Sequence, residues 1–142
     1  MNDIYINVGQ SDELEWVRPS DWLPMPEMVE GEQKVAGLYA VWGGGSDICA
    51  LLCEGNYHVN WGDGVEEDVA SGVKAQHVFN YNALAGTETS EGFRQAIVVI
   101  TPQAGANLTK IDFTQIYNGT SQYVKKELLE VEVVGEHIIE FN

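Results

Sequence analysis

Tyr57-His58-Val59-Asn60-Trp61-Gly62-Asp63-Gly64 is an alternating segment that runs straight into a turn. Tyr57, Val59 and Trp61 fall on one face of an extended chain and His58 and Asn60 on the other, the pattern of a half-buried antiparallel strand. Gly62, Asp63 and Gly64 tolerate positive φ where a tight hairpin needs it, and the Asp63 side chain can bond the backbone of its own turn. Val65 to Val69 is then the returning strand.

The flanking sequence repeats this rhythm. Upstream, Val35 to Trp42 and Ile48 to Cys53 read as strands, separated by Gly43-Gly44-Gly45-Ser46 and joined to the hairpin by Glu54-Gly55-Asn56. Downstream, Val73 to Tyr81 is a strand candidate, and a polar loop from Asn82 to Gly92 leads into Phe93 to Thr101. That run is apolar on both faces, as in a central strand covered on both sides. Pro102 to Ala106 turns the chain, Leu108 to Tyr117 is a further strand and Asn118-Gly119 a further turn. Glu127 to Val134 alternates Leu129, Val131 and Val133 against Glu130 and Glu132, and Ile138 to Phe141 adds a last apolar piece. Helical character is confined to a weak signal at Tyr123 to Leu129. Many short strands with regular turns predict an all-β sandwich.

The first 34 residues have a different character. Asp3 to Val8 alternates like a short strand and Gly9 to Glu15 breaks it. Pro19, Pro24 and Pro26 then forbid a regular helix or a central strand over Trp16 to Glu32. This irregular arm carries Trp16, Trp22, Leu23, Met25 and Met28, which either fold back on the sandwich or dock on a neighbouring subunit. The expected organisation is residues 1–34 as N-terminal strand and arm, 35–117 as the sandwich, and 118–142 as a C-terminal β-unit that begins a further domain.

With 142 residues, 44% of them hydrophobic, the chain can bury one good core. Seven basic residues against 22 acidic ones give a net charge of −15, which repels phosphate backbones and anionic membranes and argues against nucleic-acid or membrane partners. The opening residues lack the basic and apolar regions of a secretory signal, so a chain made and kept in the cytoplasm is expected, and the sequons at Asn107 and Asn118 carry no weight. Cys49 and Cys53 lie in an apolar stretch and read as buried thiols. Along a strand their Cα atoms are about 13 Å apart, too far for a disulfide.

The chemistry-bearing residues do not converge on a catalytic pattern. Glu66, Glu67 and Asp68 form the densest acidic cluster, yet on a strand Glu67 faces away from the other two, and the spacing is not that of a calcium loop. His58 and His137 have no nearby nucleophile pattern, and Gly43 to Ser46 lacks the lysine of a phosphate loop. Tyr57, Trp42 and Trp61 could line a sugar platform or pack in the core. A protein without enzymatic activity, cofactor or metal is expected.

Trp61-Gly62-Asp63-Gly64, His77-Val78-Phe79 and Gly92-Phe93 followed by Ala96 to Thr101 resemble, in order, the motifs of the PKD-type immunoglobulin-like domain. Phe79 stands where that pattern has Tyr, and the stretch between Phe79 and Gly92 is longer than the family's. The resemblance implies an immunoglobulin-like β-sandwich in which His77 bonds backbone at the sandwich end. Arg18 to Pro26 and Thr101 to Gly105 are similar to segments of tailed-bacteriophage virion structural proteins. That similarity implies a virion protein, tail- or fibre-associated or capsid-decorating, assembled in the host cytoplasm and binding other virion proteins or its own copies through the arm. A cell-surface adhesion or carbohydrate-binding module is the alternative, with a glycan as its receptor, and a calcium-stabilised module is a third reading.

Overall fold

The apolar runs on either side of the hairpin become the centre of a six-stranded sheet. A computed structural model describes residues 2–4, 16–44, 47–117 and 127–142, with the backbone alone for 2–4. Its strands are β1 (Asn2–Ile4), β2 (Lys34–Val41), β3 (Ile48–Glu54), β4 (Tyr57–Asn60), β5 (Glu66–Val69), β6 (Lys74–Val78), β7 (Arg94–Pro102), β8 (Lys110–Asp112), β9 (Leu128–Val134) and β10 (Glu140–Phe141). A 3₁₀ turn, Tyr81–Leu84, lies between β6 and β7, and Glu127 also has 3₁₀ geometry. The larger sheet has the order β1-β9-β2-β7-β4-β5 and the smaller β10-β8-β3-β6. The all-β, two-sheet architecture expected from the sequence is therefore present.

One face of each sheet builds the core. Val35, Tyr39 and Val41 of β2, Ala96, Val98 and Ile100 of β7, and Tyr57 and Val59 of β4 meet Cys49, Leu51 and Cys53 of β3, Ala75 of β6 and Ile111 of β8. These positions alternate along every strand, so the register follows from which side chains must leave water. The central strand β2 is also buried on its outer face, where Ala36 and Leu38 are fully covered. Leu38 pairs with Ile97 of β7 and with Glu130 of β9, so Glu130 lies on that outer face too. The four-residue edge strand β5 instead presents Glu66, Glu67 and Asp68 to solvent, charges that discourage edge-to-edge association.

Several boundaries differ from the sequence expectation, where a side-chain carboxylate or a turn carbonyl takes a backbone donor out of the ladder. The strand expected over Leu108 to Tyr117 shortens to β8, since Asp112 accepts bonds from the Thr114 amide (2.7 Å) and the Gln115 side chain (2.9 Å) and turns the chain. The strand expected to reach Tyr81 stops at Val78, because the Phe79 amide goes to the Asp47 carbonyl and the Asn80 amide to the Asp63 carboxylate. Val65 belongs to the turn, with its carbonyl accepting the Trp61 amide at 2.9 Å. Of the expected Asp3 to Val8 strand, β1 covers the first part, and residues 5–15 lie outside the described residues, as does Asn118-Gly119. Of the helical signal at Tyr123 to Leu129, Glu127 has 3₁₀ geometry, whereas Leu128 and Leu129 belong to β9; residues 123–126 lie outside the described residues.

The three stretches 1–34, 35–117 and 118–142 all contribute strands to these two sheets. β9 lies between β1 and β2, while β10 runs parallel to β8 and closes the smaller sheet. Within 35–117, the first strand, β2, lies beside β7 and the last, β8, beside β3.

Cys49 and Cys53 are free thiols buried on the inner face of β3, and burial pushes both up to about 12. Because the thiolate is the reactive form, neither should react with a disulfide reagent at about pH 8 in the folded chain, and both should react in denaturant. Rapid labelling of either thiol in the native protein would contradict this packing.

Candidate functional site

The Gly-Asp-Gly turn closes over the end of the core and brings the motif residues together. Trp61, immediately after β4, is fully buried and stacks on the His77 ring of β6, with centroids 4.8 Å apart and planes 13° from parallel. His77 Nε2 lies 2.6 Å from Asp63 Oδ2. The same oxygen accepts the Asn80 amide at 2.8 Å, and Oδ1 accepts the Val65 amide at 3.3 Å. His77 was expected to bond backbone, but its partner is this carboxylate. Asp63 ties more than its own turn: it joins the β4–β5 hairpin of one sheet to the end of β6 in the other. The stack continues from His77 to Phe79 (5.5 Å) and from Phe79 to Tyr39 of β2 (5.7 Å), so an aromatic row crosses the interior.

The arm forms a second site. Arg18 Nε bonds Glu130 Oε1 at 2.8 Å, Nη1 donates to the Trp22 carbonyl (3.3 Å) and Nη2 donates to the Leu23 carbonyl. The guanidinium also sits over the Trp22 ring, 5.6 Å from its centroid. Gln95, which pairs with Ala40 and is buried on the outer face, accepts the Leu23 amide (2.8 Å) and donates to the Asp21 and Thr87 carbonyls (both 2.9 Å). The Ser90 amide donates to Asp21 Oδ2 at 2.7 Å and holds that carboxyl below its usual range. The arm thus lies back along its own sheet. Met28 is buried, Trp22, Leu23 and Met25 are partly covered, and Trp16, Val17 and Val29 are exposed. Among the described residues, two buried groups have no hydrogen-bond partner here, the Trp22 indole N–H and Glu130 Oε2.

The long stretch between Phe79 and Gly92 is ordered by Arg94. Its guanidinium lies 4.1 Å from the Tyr81 ring centroid, donates to the Tyr81 carbonyl (2.8 Å) and pairs with Glu88 (2.7 Å). At the other flank of β7, Gln103 bridges β4 and β5 by donating to the Tyr57 carbonyl (2.9 Å) and the Val69 carbonyl (3.1 Å). Gly92 follows Ser90 and Glu91 in the turn that its amide closes on Thr89, and Phe93 packs buried against Trp42 at 5.1 Å.

Compared with family models, curated proteins and solved structures, the chain matches none of them.

The acidic cluster is divided as strand geometry requires. Glu67 accepts the Trp61 indole N–H at 2.8 Å, whereas Glu66 and Asp68, on the other face, each lie 2.8 Å from a ring nitrogen of His58. His58, read as lacking a nearby nucleophile pattern, has its carboxylate partners eight and ten residues away in sequence; the pairing of His58 with Asp68 across β4 and β5 brings them together. No group of three or more His, Cys, Asp and Glu side chains among the described residues is arranged to hold a metal ion. A shallow cavity of about 280 Å³ is lined by Glu30, Glu32, Gln33, Glu136 and His137. Of the three aromatics considered as a sugar platform, Tyr57 and Trp61 are fully buried in the core, and Trp42 is half exposed with its indole N–H on Glu127.

Two substitutions separate strain from contact in the turn. Gly62 has φ +81°, and a Cβ there would meet the Ile97 carbonyl oxygen at 2.5 Å; Gly64 has φ +95° with open space around it. Gly64→Ala should cost about 1–2 kcal/mol for the left-handed backbone alone, and Gly62→Ala more than about 3 kcal/mol because β7 backbone cannot yield. Equal effects in urea unfolding would contradict the close approach. For the arm, Arg18→Met strands Glu130, whose side chain is 3% exposed, and should cost about 3 kcal/mol, the low end for a broken buried pair because Arg18 itself is 26% exposed. Arg18→Lys should restore little of this, since an ammonium cannot reach a carboxylate and two carbonyls in one plane.

Proposed function

We propose that this chain is a non-enzymatic structural protein of a tailed-bacteriophage particle, tail- or fibre-associated or capsid-decorating, that works through protein–protein contacts made by its N-terminal arm. The carrying observation is the state of the arm. Its attachment leaves a buried donor and a buried acceptor unsatisfied, which costs about 1–3 kcal/mol each, and it presents Trp16 at 44% and Val17 at 78% exposure. An element held by imperfect polar contacts, with apolar side chains facing water, is suited to gain contacts when a neighbour arrives. The proline-fixed backbone loses little entropy on docking.

The immunoglobulin-like, PKD-type reading of the sandwich belongs to the same proposal. It is supported by the meeting of Trp61, which follows β4, Asp63 in the turn and His77 on β6, in the order of the motif. The wiring departs from the immunoglobulin pattern, in which the first strand joins the second and the last joins the one before it. Here β2 takes the place beside β7 and β8 the place beside β3, so the outer strands have exchanged sheets.

The double substitution Trp16→Ser, Val17→Ser should lower thermal stability only slightly, through loss of the Trp16 contact with the Trp22 ring (centroids 6.0 Å apart), and should reduce incorporation into purified particles about tenfold or more. Normal incorporation would overturn the arm reading, and absence of the parent protein from purified particles would overturn the virion assignment. Binding on a glycan array would favour the adhesion module instead.

A further inference from the structure

A neutral imidazole carries one N–H and one lone pair, so it can donate to one carboxylate and must repel a second placed at its other nitrogen. His58 has carboxylates at both. Nδ1 lies 2.8 Å from Asp68 Oδ1 and Nε2 lies 2.8 Å from Glu66 Oε1. Both contacts are hydrogen bonds when both nitrogens are protonated, so the arrangement is built for the imidazolium.

Its placement gives the arrangement a mechanical meaning. His58 is on β4, and both carboxylates are on β5, the outermost strand of the larger sheet. β5 buries one side chain, Val69, so little apolar area holds it in place. On the other flank, β7 sets the uncharged Thr101 opposite His58. On β4 itself the neighbour on the same face is Asn60, and Glu67 lies on the opposite face with the Trp61 indole. Among the described residues, Glu66 and Asp68 are therefore the charged groups that face the ring.

We propose that His58, Glu66 and Asp68 form a proton-operated clasp that closes the edge strand β5 onto β4 when the ring is doubly protonated and loosens it when the ring gives up a proton. The hydrogen bond that the ring donates to Glu66, then that to Asp68, raises the His58 value above its ordinary 6.5, with partial burial opposing. A raised value means that the clasp's contribution is complete below the ordinary titration range and fades as pH rises through the elevated one. Loosening β5 uncovers the backbone donors and acceptors of β4, the kind of edge to which an extended partner segment adds.

The test uses the full chain and two readouts. In a nuclear magnetic resonance titration, with the His58 signal assigned by its loss in H58Q, the midpoint should lie above about 6.5 and fall back towards it in E66Q/D68N and at about 0.5 M salt. Protection of the Glu67 and Val69 amides, which face β4 in this register, from hydrogen exchange, relative to β7, should be about threefold or more weaker at about pH 8.5 than at about pH 5.5, and H58Q should abolish that difference. A midpoint at or below the ordinary value, or the same pH dependence in H58Q, would overturn the clasp.

Discussion

The Asp63 carboxylate is the point at which the two sheets are fastened. It is 6% exposed and accepts from the His77 ring, the Asn80 amide and the Val65 amide, three donors from three parts of the chain. A buried carboxylate without such donors would be costly, so its presence dictates the local geometry. The turn must approach β7 closely enough to require glycine at 62, β6 must end where Asn80 can donate, and Trp61 must lie flat on the imidazole. Many of the loop conformations at this end of the sandwich follow from satisfying one charge.

The opposite face is governed by a different constraint. β2 and β7 are apolar on both sides, and a two-layer sandwich covers one side only. The arm supplies the missing layer, but prolines deny it the backbone ladder that would normally attach such a segment. Attachment therefore falls to side chains: Arg18 on Glu130 and Gln95 on the Leu23 amide and Asp21 carbonyl. The chain has two arginines, Arg18 and Arg94, and both fix irregular segments to the sheet by combining a salt bridge, carbonyl contacts and an aromatic ring. Lysine offers no equivalent planar array of donors.

What could be read from the sequence was what local periodicity encodes. The inward set Tyr57, Val59 and Trp61, the doubly apolar β7 and the hairpin turn all follow from alternation and glycine placement. Pairings between distant strands were not legible. Nothing near Glu130 announces that it faces Arg18, 112 residues away, or that β9 enters between β1 and β2. His58 shows the limit most clearly: alternation puts it on the polar face, but its two carboxylates come into view only when the hairpin register is known. Strand ends were misjudged at Asp112, Asn80 and Val65, where a carboxylate competes with the ladder for a backbone donor.

Asp63 and His77 act as one unit between the sheets. A double-mutant cycle with Asp63→Asn, His77→Gln and the pair, followed by urea unfolding, measures that coupling directly. A coupling free energy of about 1–3 kcal/mol, with each single variant still folded, is the predicted result. Additivity of the two substitutions to within about 0.3 kcal/mol would contradict it, because the turn and the second sheet would then be held independently.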